Sequence, residues 1–263
     1  MAEKMPCAVV PSQGAIMSNR TDFQTANLLL GVLSPADLAL LTPHFVRIDL
    51  DREHVFVAPN VPVEHVYFPE GGIASVVSEM DETPPTEVGV FGREGMSGIS
   101  ALLGSATSPN RVFMQVDGTT ALRIDLSRLL DAMADSATLR ALLMRYVQTV
   151  LVQVAHSVVS NAHHRMEARL ARWLLMCHDR VDGNTISLTH RFMSMMITAQ
   201  RSGVTVTLHI LEGSGAIRST RGLVTILDRE KLEDIAGEAY GGPEAEYRRL
   251  IAPFGRSPAL AAG

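Results

Sequence analysis

The feature that most narrows the possible folds is a change of hydrophobic period near residue 126. From residue 45 to 125 the apolar residues come in short runs: FVRIDL, HVFV, HVYF, IASVVSEM, EVGVF, RVFMQV and TALRIDL. Between these runs stand Glu70-Gly71-Gly72, a Thr83-Pro84-Pro85 loop, a glycine-rich stretch and Asp117-Gly118. Short strands at such spacing predict a β-sandwich or jelly roll. From Ser127 the period lengthens. Leu139, Leu142, Leu143, Tyr146, Val147, Val150, Leu151, Val154 and Val158 recur every three or four residues, which predicts one long helix with a broad apolar seam. A seam that wide can serve the β-domain on one side and a second copy of the chain on the other, so a homodimer is expected. Ahead of the strands, residues 27–41 predict a short helical entry, with Ser34 as cap and Pro35 at the first helical position.

After the seam, a polar break at 160–164 reads as an interdomain hinge, followed by a helix over 165–178. Residues 189–218 then read as two short helices around a tight turn. Met193, Met196 and Ile197 give one apolar face, and Val204, Leu208 and Leu211 give another. Residues 198–202 are polar and loop-like, Ser194 is small where the helices must approach, and Gly213 and Gly215 close the second helix. A helix-turn-helix lays its second helix in the major groove, which would bring Arg201, Ser202 and Thr205 to the base edges. An ordinary helical hairpin packed in a core gives the same apolar pattern. The next residues, IRSTRGLVTILD at 217–228, predict a β-hairpin with a basic tip. Such a wing would set Arg218 and Arg221 against the phosphate backbone. The methionines at 193, 195 and 196 are read as packing residues.

Charge follows the same division. The whole chain carries a net charge of −5, but residues 1–160 hold 10 Lys/Arg against 17 Asp/Glu, and residues 161–227 hold 8 against 4. The one basic block contains the helix pair, and phosphate binding needs local positive potential rather than a basic whole. No apolar run reaches 18 residues and the N-terminus lacks a secretion signal, so no membrane partner is expected. The only cysteines, Cys7 and Cys177, are too few for a disulfide framework or a four-thiolate cluster, which suits a reducing cytoplasm. His44, His54 and His65 in the β-region are read as structural, and the adjacent His163 and His164 as hinge or phosphate-contact residues. No metal-type spacing supports a jelly-roll metalloenzyme, and no cofactor or catalytic activity is expected.

The order of parts, with HVYFPEGG at 65–72, EVGVFGREGMSGISALLG at 87–104 and QVDGTTALRID at 115–125, resembles the cyclic-AMP receptor protein and Fnr (Crp/Fnr) family of bacterial transcription regulators. The resemblance spans roughly 27–235. It implies an α+β chain with a flexible segment at 1–26, a cyclic-nucleotide-binding-type β jelly roll at 27–133 and a long dimerisation helix at 134–160. A winged helix-turn-helix follows at 161–240 and a tail at 241–263. It further implies a homodimer on double-stranded promoter DNA, with RNA polymerase as a partner. By resemblance the DNA-binding residues are Gln200, Arg201, Ser202, Thr205, His209, Arg218 and Arg221, and the effector-binding candidates are Gly92, Glu94, Gly95 and Arg111. The sequence also departs from the family pattern. Nucleotide-binding members carry Gly-Glu and then Arg-Ser or Arg-Thr, whereas here Met96 follows Gly95 and Val112 follows Arg111. An altered pocket, unsuited to cyclic AMP and with its effector unknown, is therefore expected. In the reading helix Ser202 and Val206 stand for the family's Glu and second Arg, and Thr198 stands for the turn glycine. The alternative expectation is a ligand- or protein-binding regulator whose helix-turn-helix does not read DNA.

Overall fold

The computed structural model describes residues 23–80, 82–116, 120–188 and 190–256. Residues 1–22 of the flexible segment expected at 1–26, Cys7 among them, the Asp117-Gly118 turn and the last seven residues of the tail lie outside the described residues. Two short helices, α1 (Leu28–Gly31) and α2 (Pro35–Leu41), open the fold. Ser34 caps α2 as its sequence predicts, its hydroxyl accepting the Asp37 N–H at 3.1 Å.

Seven strands follow: β1 (Val46–Asp49), β2 (Val55–Val57), β3 (His65–Pro69), β4 (Ile73–Met80), β5 (Thr83–Phe91), β6 (Arg111–Val116) and β7 (Thr120–Asp125). A short helix, α3 (Ile99–Leu102), interrupts them. They form two antiparallel sheets in the orders β1-β7-β3 and β2-β6-β4-β5, which is the expected roll. The Thr83-Pro84-Pro85 segment, read from sequence as a loop, instead begins β5, with Thr83 paired to Met80. Because β5 is an edge strand, its prolines can present their donor-less side outward without breaking the ladder.

Helix α4 (Leu126–Asp135) leads to α5 (Ala137–His163), 27 residues long and capped by Ser136. Its two halves differ. Leu139, Leu142, Leu143, Tyr146 and Val147 are buried in one core with Phe45, Phe68, Leu122 and Ile124 of the roll. In the second half Leu151, Val158 and Val159 are 57 %, 62 % and 53 % exposed. By length and composition α5 could cross a membrane. The expected break at 160–164 is shorter than the sequence suggests. The helix runs to His163 because Ser160 to Ala162 hold no proline or glycine, and His164 still donates its N–H to the Ser160 carbonyl at 3.0 Å.

The C-terminal unit comprises α6 (Met166–His178), β8 (Thr185–Ser187), α7 (His190–Met196), α8 (Arg201–Gly213), β9 (Ile217–Thr220), β10 (Leu223–Ile226) and α9 (Arg229–Ala236). Its core joins Leu170, Trp173 and Leu174 of α6 to Val204, Leu208, Leu211, Val224, Ile226 and Leu232, and it runs on into Ile73, Val90 and Val116 of the roll. Beyond residue 240, where the sequence suggests only a tail, α10 (Gly242–Leu250) packs on α5. Its Tyr247 hydroxyl donates to the Glu94 carbonyl at 2.7 Å.

Candidate nucleic-acid interface and the pocket of the roll

The two apolar faces read from the sequence meet each other. Met193, Met196 and Ile197 are buried against Val204, Leu208 and Leu211, so α7 and α8 form a helix pair around the turn at 197–200. Gly203 lets α8 approach α6, since a Cβ there would stand 3.1 Å from the Met166 side chain. With one face of α8 fixed in the core, helical geometry turns the other outward. That outer face carries Arg201, Ser202, Val206, His209 and Ile210, all exposed, with Thr205 half-buried between them. Gln200 is exposed at the N-cap position. Thr205 donates to the Arg201 carbonyl at 3.1 Å, and His209 lies 3.3 Å from the Glu212 carboxylate. Glu212 also accepts the Ser219 N–H at 2.6 Å, which ties the end of α8 to the hairpin.

The hairpin is a wing. β10 pairs with β9 on one side and β8 on the other in a three-stranded antiparallel sheet, and Gly222 takes a φ of 77° in the turn. Arg218 and Arg221 are both exposed on it. The structure therefore gathers α8 and the wing into one unit, as the sequence suggests. Val206 and Ile210, exposed by 59 % and 47 %, are the members of this face that a search for polar base readers does not single out. The signal that could have found them is their spacing, out of phase with Val204, Leu208 and Leu211.

In the roll, the effector candidates Gly92, Glu94 and Gly95 share one turn, and Arg111 begins β6. Glu94 is 3 % exposed and pairs with Arg180, just beyond the end of α6, at 2.8 Å, while also accepting the Gly92 N–H at 3.0 Å. At Gly92 a Cβ would come within 2.7 Å of the Gly72 carbonyl, and at Gly95 it would run into the Tyr146 hydroxyl. Both glycines thus serve close packing. Met96 is fully buried, and its backbone bonds the Tyr146 hydroxyl at 3.1 and 3.3 Å. Burial pushes the Tyr146 phenol above its ordinary range, so it holds this turn as a neutral group. Arg111 lies over the Phe113 ring at 4.6 Å, and Phe113 in turn meets Phe192 of α7.

A cavity of about 490 Å³ does lie between the four-stranded sheet and α5, within the usual size of small-molecule sites. Its walls include Val57, Val76, Val88, Phe91, Ile99, Val112 and Leu151, with Ser97, Asn110 and Gln153 as polar points. Val112 faces this space, so along the strand Arg111 is turned to the opposite face. Among the described residues, no cationic side chain lines it. A cyclic phosphate would lose its water there without gaining a charged partner. Val150 and Val154 also line this cavity; Leu151 shares its wall although more than half of it is exposed, and Val158, equally bare, does not.

Further polar contacts, one buried and two at the surface, join the two units. Glu87 of β5 accepts the Trp173 indole N–H at 3.0 Å, and burial pushes its carboxyl up to about 8. Arg52 reaches Ser187 at 3.3 Å, and Arg93 lies 3.3 Å from Asp182. These pairs span the two textures of the sequence, and no local spacing announces them. Among the described residues, no group of three or more His, Cys, Asp or Glu side chains is arranged to hold a metal.

Residues 168–235 match the Crp-like helix-turn-helix domain family. No curated protein matches the chain in sequence. Among solved structures, the chain is similar to a CRP-family transcriptional regulator of Thermus thermophilus, with 19 % identity, 74 % of this chain and 98 % of that one covered, and a TM-score of 0.61. FixK2 from Bradyrhizobium japonicum gives 13 % identity over 73 % and 98 %, with a TM-score of 0.61. The c-di-GMP responsive global regulator CLP of Xanthomonas campestris gives 16 % identity over 73 % and 99 %, with a TM-score of 0.59. At such identities the likeness establishes the fold.

Proposed function

The chain has the Crp/Fnr regulator fold and carries a Crp-like helix-turn-helix domain, and from that premise we propose that it binds promoter DNA as a homodimer. In this reading α8 enters the major groove and the wing holds the backbone. The observation that carries it is the face of α8 bearing Arg201 and Ser202, set beside the exposed Arg218 and Arg221 within the one basic block of the chain. The bare stripe of Leu151, Val158 and Val159 is the surface for the second copy. A lipid occupant suits it less well, because the first half of the same helix is buried in the core of the roll. The chain therefore acts as a cytoplasmic regulator, with RNA polymerase as its further partner and no catalytic role. Its roll responds to something other than cyclic AMP, or to nothing.

Binding to the best duplex selected from random DNA, followed at several salt concentrations, tests this reading. Affinity should fall steeply with salt. Replacing Leu151 and Val158 together by Glu should convert a sedimenting dimer to a monomer and abolish tight binding. A wild-type monomer at micromolar concentration, or no enriched sequence, would overturn the corresponding half. The exposed Val206 and Ile210 favour a second reading, in which α8 meets a protein rather than DNA. The same selection separates the two.

A further inference from the structure

The outer face of α8 divides along its length. Its first turn is polar, with Arg201 and Ser202. One turn further stands Val206, and one turn beyond that Ile210, exposed by 59 % and 47 % although each is a β-branched apolar side chain. They point away from the core that takes Val204, Leu208 and Leu211. Neither can donate to a phosphate or to a base edge.

We propose that Val206 and Ile210 are specificity residues for thymine, packing against the C5-methyl groups in the major groove. The inference rests on the DNA-binding reading above. In the major groove, thymine is the base that offers a methyl group, while guanine, adenine and cytosine offer polar edges. An apolar side chain pressed on such an edge strips its water and returns no hydrogen bond, so it selects against those bases as well as for thymine. At a rise of about 1.5 Å per residue, the two Cα atoms lie about 6 Å apart along the helix, close to two base steps of about 3.4 Å. Each half-site should therefore hold two thymines within about two steps of each other, on either strand, next to the guanine expected under Arg201.

The surroundings favour DNA as the occupant. Arg201 flanks the pair on α8, and Arg218 and Arg221 extend from the adjoining wing, so the apolar pair sits inside a cationic rim that complements phosphate. Two side chains also fall far short of the roughly 800 Å² per partner that a stable protein interface buries.

The test uses the full-length protein and the best duplex recovered from random DNA. Each thymine is replaced in turn by deoxyuridine, which removes the C5-methyl and leaves every hydrogen-bonding group in place. Uridine at two positions in each half-site should weaken binding by about three- to fivefold per position, the scale of one buried methyl. Val206→Ala should erase the penalty at one position and Ile210→Ala at the other. Circular dichroism of these surface variants should match the wild type, since alanine suits an exposed helix. Equal binding of the uridine and thymine duplexes would overturn the inference while leaving DNA binding intact. A uridine penalty that persists in both variants would assign the methyl contact elsewhere and overturn it too. Failure to enrich any duplex would overturn the inference together with the DNA-binding reading, and leave a protein partner for the pair.

Discussion

The turn at 92–98 in the roll and the outer face of α8 both depart from the family pattern, and burial decides what each departure means. In the roll the substituted residue, Met96, has no exposed surface, and its neighbour Glu94 is committed to Arg180. In a segment that in nucleotide-binding members of the Crp/Fnr family faces a ligand, Glu94 is here turned into the protein, and the cavity is met by Met96, Ser97 and Gly98 instead. On α8 the departures Ser202 and Val206 point into solvent and leave the fold untouched. A buried departure withdraws a function from a surface; an exposed one changes what that surface recognises.

If that contrast holds, the largest effect of any single substitution should come from the roll and appear in stability. Glu94→Ala leaves Arg180, 3 % exposed, without its carboxylate. Breaking a buried pair from one side costs about 3 to 5 kcal/mol. The melting temperature should drop by on the order of 10 °C. A drop within 2 °C, read by calorimetry, would mean that water reaches the pair and that the turn is not core after all.

On the reading face the expected effects are smaller and fall on binding alone. Arg201→Ala should cost roughly 1 to 3 kcal/mol on the selected site and relax preference at one position in each half-site. Arg218→Ala or Arg221→Ala should weaken specific and nonspecific duplexes alike, and lower the slope of log affinity against log salt by about one unit for each phosphate that the protein no longer neutralises. Melting temperatures should not move. If Arg201→Ala weakens every sequence equally, Arg201 is a backbone contact, and α8 sits in the groove differently.

The two regions were also unequally legible in the sequence. The strands, the cap at Ser34, the helix pair and the wing follow from local period and turn chemistry, and they stand where the residues indicate, except that β5 begins already at Thr83. α10 was missed because GPEAEYRRL is short and weakly patterned, and its place depends on distant partners, Tyr247 with the Glu94 carbonyl among them. The same holds for Glu87 with Trp173 and Glu94 with Arg180, each separated by 86 residues. Pairings of that range are set by how the two units dock. The seam of α5 was readable as broad, but which residues turn inward was not. Val150 and Val154 line the chain's own cavity and are half-buried, while Leu151, which borders that cavity too, and Val158 are the more exposed pair.

Glu87 gives a subtler test of the buried side of the contrast. Burial lifts its carboxyl from the ordinary 4.5 to about 8, against the opposing pull of Ser75, Trp173, Arg172 and Arg180. Because the folded-state value lies above the unfolded one, the stability it contributes is complete below about 4.5 and is lost as pH rises through about 8. Glu87→Gln keeps an acceptor for the Trp173 indole and removes the proton. Denaturant midpoints measured between pH 5 and 9 should fall with pH in the wild type and fall less in the variant. Equal slopes would place the titration on other groups.

The smallest expected effect belongs to a departure that is exposed and yet structural. Thr198 stands in the turn between α7 and α8, its side chain in solvent and its φ at 49°, in the left-handed region. A residue with a Cβ pays roughly 1 to 2 kcal/mol there, and a β-branched one has no local hydrogen bond to compensate for the crowding. Glycine removes that strain but gains freedom in the unfolded chain, which returns part of the benefit. Thr198→Gly should therefore stabilise the protein by no more than about 1 kcal/mol, raising the melting temperature by roughly 2 to 4 °C. It should leave DNA affinity unchanged, because the backbone already holds the helix pair in its docked geometry. A stabilised protein with altered affinity would show that the turn sets the angle of α8, and that burial alone does not sort the departures.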